Sequence, residues 1–155
     1  MGKIKTEISE IIVQLNTLLV RNKDAEKGYH EAKDRVSNPE LKSFMVSQAK
    51  QRATFSKELG ETVRSLGGSP TTGASIGSEV HRAWLDLRTL ITTNINPDRA
   101  DKVIVVECKR GEQAAINDYM QVLEETNLAP PVRKLLQQQV DRITAAYQFL
   151  THFNL

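Results

Sequence analysis

Apolar residues recur every three or four positions along most of the chain, which is the spacing of an amphipathic helix and not the alternation of a strand. In the first segment they fall at Ile4, Ile8, Ile11, Leu15, Leu18, Ala25, Tyr29, Ala32 and Val36, so a helix is expected over 4–36. Asn38-Pro39-Glu40 then offers a capping side chain, a proline suited to the first turn and an acid that favours the positive end of a helix. A second helix should follow through Leu41, Phe44, Met45, Phe55, Leu59, Val63 and Leu66. It should stop at Gly67-Gly68-Ser69-Pro70, where glycine reaches the left-handed conformation and proline forbids continuation.

A shorter amphipathic pattern over 74–93, carried by Ile76, Val80, Ala83, Trp84, Leu87, Leu90 and Ile91, predicts a crossover helix. Asn94-Ile95-Asn96-Pro97-Asp98 repeats the cap, proline and acid signal, and a third long helix is expected through Ile104, Val105, Cys108, Ala115, Tyr119, Val122 and Leu123 to about Asn127. Ala129-Pro130-Pro131 opens the fourth, with Val132, Leu135, Leu136, Ile143, Ala146, Leu150 and Phe153 as its stripe. The fold class is therefore all-α. Two proline-turn hairpins joined by a long link are the connectivity of a four-helix bundle with one long crossover between helices two and three, carrying a short extra helix. The chain is one domain over 1–155, with the bundle core over about 15–153 and the crossover over 67–97. Glu26-Lys27-Gly28-Tyr29 and Glu112-Gln113-Ala114-Ala115 faintly echo one another, as a pseudo-twofold would require.

Each stripe is broken near its middle by a polar residue. Glu26 and Glu112 fall on the expected buried stripes of the first and third helices, Gln48 and Gln51 on the second, and Gln139 with Arg142 on the fourth. In bundles of this kind a di-iron site takes a Glu from each of two helices and a Glu-x-x-His from each of the others. Here those two motifs read Gln48-x-x-Gln51 and Gln139-x-x-Arg142. An amide oxygen is a poor ligand beside carboxylate or imidazole, and arginine cannot hold a cation. Arg142 or Arg52 is instead expected to neutralise the acids through forked hydrogen bonds. The favoured expectation is a polar layer of Glu26, Gln48, Gln51, Glu112, Gln139 and Arg142 with no cofactor. The alternative is a metal site of Glu26, Glu112 and His30 taking iron, manganese or zinc.

Leu15-Asn16-x-Leu18, Asp24-x-Glu26-Lys27-Gly28-Tyr29, Gln51-Arg52-Ala53-x-Phe55, Leu66-Gly67-Gly68, His81-Arg82-x-Trp84-x-Asp86-Leu87 and Glu107-x-x-x-Gly111-Glu112 follow one another in an order and spacing that resembles a bacterial family of ferritin-like four-helix-bundle proteins of unknown function. The resemblance spans about 15–150. It implies a ferritin-like bundle and a bacterial source, implies no activity, and suggests stress physiology only by analogy with ferritin-like proteins at large. Without the Glu-x-x-His pairs, the chain stands apart from ferritins and rubrerythrins proper.

Other chemistry is sparse. His81 and Trp84 lie one turn apart on the crossover and could line a pocket there. The plainer expectation is a boundary histidine and an indole anchoring the crossover with its ring N–H paired. Cys108 is expected to be buried and inert. The 155 residues carry 21 Lys and Arg against 19 Asp and Glu, a balance that leaves no basic stripe for nucleic acid. No apolar run approaches the roughly 20 residues of a membrane span, and a lone cysteine fits a reducing cytoplasm. Partners are expected to be further copies of the chain or an unidentified protein. Ile4, Ile8, Ile11, Ile12 and Leu15 extend a first helix of about 45 Å from Thr6 to Val36, beyond what the fourth helix can cover. Burial of that end against a second copy would account for them. Two readings follow: a non-enzymatic bundle acting by self-association or partner binding, and a metal-carboxylate protein for storage or redox chemistry.

Overall fold

The computed structural model describes residues 2–71, 79–92 and 96–153. Among the described residues there are five helices and no strand: α1 Gly2–Ala32, α2 Pro39–Ser65, α3 Glu79–Thr92, α4 Pro97–Glu125 and α5 Pro130–His152. Prolines open α2, α4 and α5, where a missing N–H costs no helical hydrogen bond. Asn38 caps α2 by accepting from the amides of Glu40 and Leu41 at 2.9 and 3.1 Å. Asp101 of α4 accepts from Ser37 and Asn38 at 2.7 and 2.9 Å, so the α1–α2 turn is tied to a third helix. At the other end of α2, Gly67 has φ +87 and the Gly68 amide reaches back to the Val63 carbonyl at 3.0 Å. The left-handed glycine stop is thus present where the sequence places it.

One boundary differs from the expectation. α1 ends at Ala32, and Lys33 to Val36 close in turns onto Tyr29, Glu31 and Ala32; Val36 stays buried without being helical. The crossover helix is described over Glu79–Thr92, within its expected span of 74–93; residues 74–78, with Ile76, and 93 lie outside the described residues.

Pairing fixes the directions. Arg21 meets Asp118 and Ser37 meets Asp101, so α1 and α4 are antiparallel. Asp24 meets His81 and Glu31 meets Arg88, so α3 runs parallel to α1. α1 packs along α2, α4 along α5, and α3 lies against both α1 and α4. The core is aliphatic, with Leu15, Leu18, Leu41, Met45, Leu59, Ile104, Leu136 and Ile143 fully buried. Leu15 and Ile12 belong to this body: Ile12 sits against Gly68, and Asn16 clamps the chain after α2 through Ser69 and Thr71. Within the first segment's apolar series, exposure is confined among the described side chains to Ile8.

Trp84 locks the crossover. Its indole lies between α1 and α4 in a slot formed by two glycines: a Cβ at Gly28 would overlap ring atom Cε3, and one at Gly111 would come within 2.7 Å of Cε2. The sequence expectation of an anchoring indole matches this placement, but its Nε1 has no hydrogen-bond partner among the described residues.

Gly28→Ala and Gly111→Ala are each expected to lower stability by about 1–3 kcal/mol, the range for overpacking, and to red-shift emission from the single tryptophan. Gly60→Ala is the contrast, because its Cβ would meet atoms no closer than 3.6 Å. There the gain in helix propensity, about 0.8–1 kcal/mol, should raise the unfolding midpoint.

Candidate functional site: the buried ion-pair layer

Stripe positions on α2 run through Met45, Gln48, Arg52, Phe55 and Leu59, and on α4 through Cys108, Glu112, Ala115 and Tyr119. That register points Arg52 and Glu112 at each other across the bundle. Both side chains are completely buried. The guanidinium grips the carboxylate with two nitrogens: Nη1 donates to Oε1 at 2.9 Å, and Nη2 donates to Oε2. Nη2 also donates to Gln48 Oε1 at 3.2 Å. The rings of Tyr29 and Phe55 flank the guanidinium, each centroid 5.8 Å from it, where an aromatic face favours a cation. Burial alone would pull the Arg52 pKa down, but Glu112 and then Tyr29 more than reverse this and raise it.

A second group of polar side chains lies further along the core. Asn22 of α1 donates to the Tyr119 hydroxyl at 2.7 Å, which donates to Gln139 Oε1 at 2.7 Å; Gln139 Nε2 donates to Glu58 at 3.2 Å. This chain joins α1, α4 and α5 through neutral groups and ends on the Glu58 carboxylate of α2. Around α3 the ties are ionic. Asp24 meets His81 Nδ1 at 3.1 Å, both Glu31 oxygens accept from Arg88 Nε at 3.0 Å, and Asp86 pairs with Arg110.

The residues singled out from the sequence separate into two sets. Glu112, Gln48 and Gln139 are buried, the first two in the ion-pair cluster and the third in the second hydrogen-bonded chain. Glu26 is only partly buried and has no bond to Glu112. The α1 stripe passes through Leu18, Asn22, Ala25 and Tyr29, which leaves Glu26 on its margin. Arg142 is exposed on α5, so the neutralising cation is Arg52. Gln51 sits at the margin with Oε1 unpartnered among the described residues. His30 is exposed and does not join Glu26 and Glu112 in a site. His81 is a boundary residue tied to Asp24, and Trp84 fills the glycine slot. Asn22 and Tyr119 were not singled out, although their places on the stripes, four residues after Leu18 and four before Leu123, carry the signal.

Among the described residues, no three His, Cys, Asp or Glu side chains gather where they could hold a metal ion. The donor set of a bundle metal site is not matched, because the one fully buried carboxylate of the layer has both oxygens on a guanidinium. Burial, with the Glu112 carboxylate adding to it, pushes the Tyr29 hydroxyl and the Cys108 thiol well up. Burial likewise raises Tyr119, against a lowering by its bond from Asn22. These shifts favour the neutral forms, and Cys108 is buried as expected.

Replacing Arg52 with Met strands a buried carboxylate and should cost about 3–5 kcal/mol in denaturant unfolding. Adding Glu112→Leu to that variant should recover most of the loss. A second expectation concerns pH. Tyr29, Tyr119 and Cys108 have folded-state pKa values raised above their unfolded ones, so their contribution is whole below the unfolded values and is lost as pH rises towards the folded ones. The unfolding midpoint should therefore fall above pH of about 9, and Cys108 should react with an aromatic disulfide reagent only after denaturation.

Comparison with known proteins places this geometry. No match was found among curated proteins. Among solved structures, a point mutant of Mycobacterium smegmatis Dps1 superposes with a TM-score of 0.72 at 15% identity, covering 94% of this chain and 95% of that one. At that identity the likeness shows the fold, a ferritin-like all-α bundle. The profile of one family matches residues 10–125, spanning α1 to α4 and every residue of the ion-pair cluster. The chain accordingly belongs to the family described as Domain of unknown function (DUF2383).

Proposed function

We propose that this protein is a non-enzymatic ferritin-like bundle that acts through its surface, by association with further copies of itself or with another protein, and that its interior layer works without metal. The observation carrying this reading is the Arg52–Glu112 pair: a permanently charged cation holds both oxygens of the buried acid in the layer where di-iron bundles place metal. The pair fixes helix register and engages both oxygens of Glu112, so a metal ion there would have to compete with a guanidinium. The margin position of Glu26 weakens the alternative, a metal site shared by Glu26 and Glu112, and with it storage or redox chemistry. No cofactor belongs to the favoured reading. The surface keeps large apolar side chains in water at Val13, Leu85, Val106 and Met120, and contact surfaces draw on such residues.

Protein purified without chelator and loaded anaerobically with iron, manganese or zinc is expected to carry well under one ion per chain by elemental analysis. Stoichiometric metal that disappears in Glu112→Ala would overturn the metal-free reading.

A further inference from the structure

The near balance of charge over the whole chain conceals a local excess. Where α1 turns into α2, Lys33 joins Lys42, Ser43, Ser47 and Lys50 of α2 in lining a groove of about 750 Å3. Asp34 is the single acid among its described lining residues, so three ammonium groups against one carboxylate leave a net charge of +2. Arg21, Arg88 and Arg110 are each paired with an acid. None of these three lysines has an ion pair or a side-chain hydrogen bond among the described residues. The hydroxyls also stand apart from their neighbours. On α2, Thr54, Ser56 and Thr62 donate to the carbonyl four residues earlier, at 3.2, 3.1 and 2.9 Å, and are satisfied within the helix. Ser43 and Ser47 make no such bond and remain available as donors in the groove.

We infer that this groove binds a short chain of linked phosphoryl groups, as in inorganic triphosphate or the tail of a nucleoside triphosphate. The inference goes beyond the association reading above and does not depend on it. Lys42 and Lys50 stand eight residues apart on α2, about 12 Å along the axis at 1.5 Å per residue. A compact ion such as orthophosphate would draw those ammonium groups together against their own repulsion. Linked phosphoryl groups instead set several negative charges along the line of lysines, and their oxygens accept from ammonium and hydroxyl alike. Lys42 and Ser43 lie near the N-terminal end of α2, where the macrodipole is positive. Its backbone donors are already engaged, because Asn38 accepts from the amides of Glu40 and Leu41, so recognition falls to the side chains. No aromatic ring lines the groove among the described residues, which leaves a nucleotide base no ring to stack on. The phosphate chain is therefore the part that is read.

The test titrates the full chain at low salt with inorganic triphosphate, orthophosphate and ATP, read by calorimetry and phosphorus NMR. Triphosphate is expected to bind once per chain, at least about tenfold tighter than orthophosphate, which meets fewer ammonium groups at once. ATP should match triphosphate within about threefold, and added salt should weaken both, as it does exposed charge contacts. Lys42→Ala and Lys50→Ala should each weaken triphosphate about fivefold, the loss of one exposed charge contact. Both side chains are exposed, so the unfolding midpoint should hold. Lys134→Ala, exposed on α5 and outside the groove, should leave binding unchanged. Triphosphate that does not saturate, or that Lys134→Ala weakens as much as Lys42→Ala does, would overturn the site. Orthophosphate binding as tightly as triphosphate would overturn the choice of linked phosphates, and ATP binding tenfold tighter would overturn recognition through the phosphate chain.

Discussion

A guanidinium and a carboxylate buried together constrain the whole bundle. Two charges removed from water cost several kcal/mol each, and their attraction offsets this only if geometry and hydrogen bonding are good. Arg52 and Glu112 meet that condition through two parallel bonds, a third to Gln48, and two aromatic rings beside the guanidinium. Because the partners lie on α2 and α4, their register sets the height of one hairpin against the other. A one-turn slip would leave two unpaired charges in the core. The hydrogen-bonded chain of Asn22, Tyr119, Gln139 and Glu58 adds a second tie at another level, reaching all four long helices.

The crossover is held on different terms. α3 contributes the largest buried side chain, Trp84, to a slot that exists only because Gly28 and Gly111 have no side chains. Its flanks carry three partly exposed ion pairs, whose individual worth is small. Shape complementarity therefore fixes the position of α3, while the charges select its orientation. Its outward side is left with Arg82 and Leu85 in water.

Metal bundles and this chain solve one electrostatic problem in different ways. Carboxylates brought into a core require positive charge, supplied either by ions or by a side chain. A bound ion has open coordination positions and exchanges with solvent; a guanidinium in a two-point grip does neither. An Arg-neutralised layer supports structure and register.

Much of the fold was legible in the chain. The 3.6-residue stripes, the prolines at the starts of α2, α4 and α5, and the left-handed stop at Gly67 rest on local backbone physics and appear where the sequence puts them. Glu112, Gln48 and Gln139 were readable as buried polar residues for the same reason, since a stripe position is buried whatever occupies it. Which polar residue would meet which was not readable. Glu26 and Ala25 are neighbours on a helix, and packing put Ala25 inside and Glu26 on the margin. Arg52 and Arg142 both stood near the layer in sequence, yet helix rotation buried the first and exposed the second. Period and capping are properties of one segment and are written in it. Partner choice across the core depends on the rotation and height of several helices at once, and only the folded chain decides it.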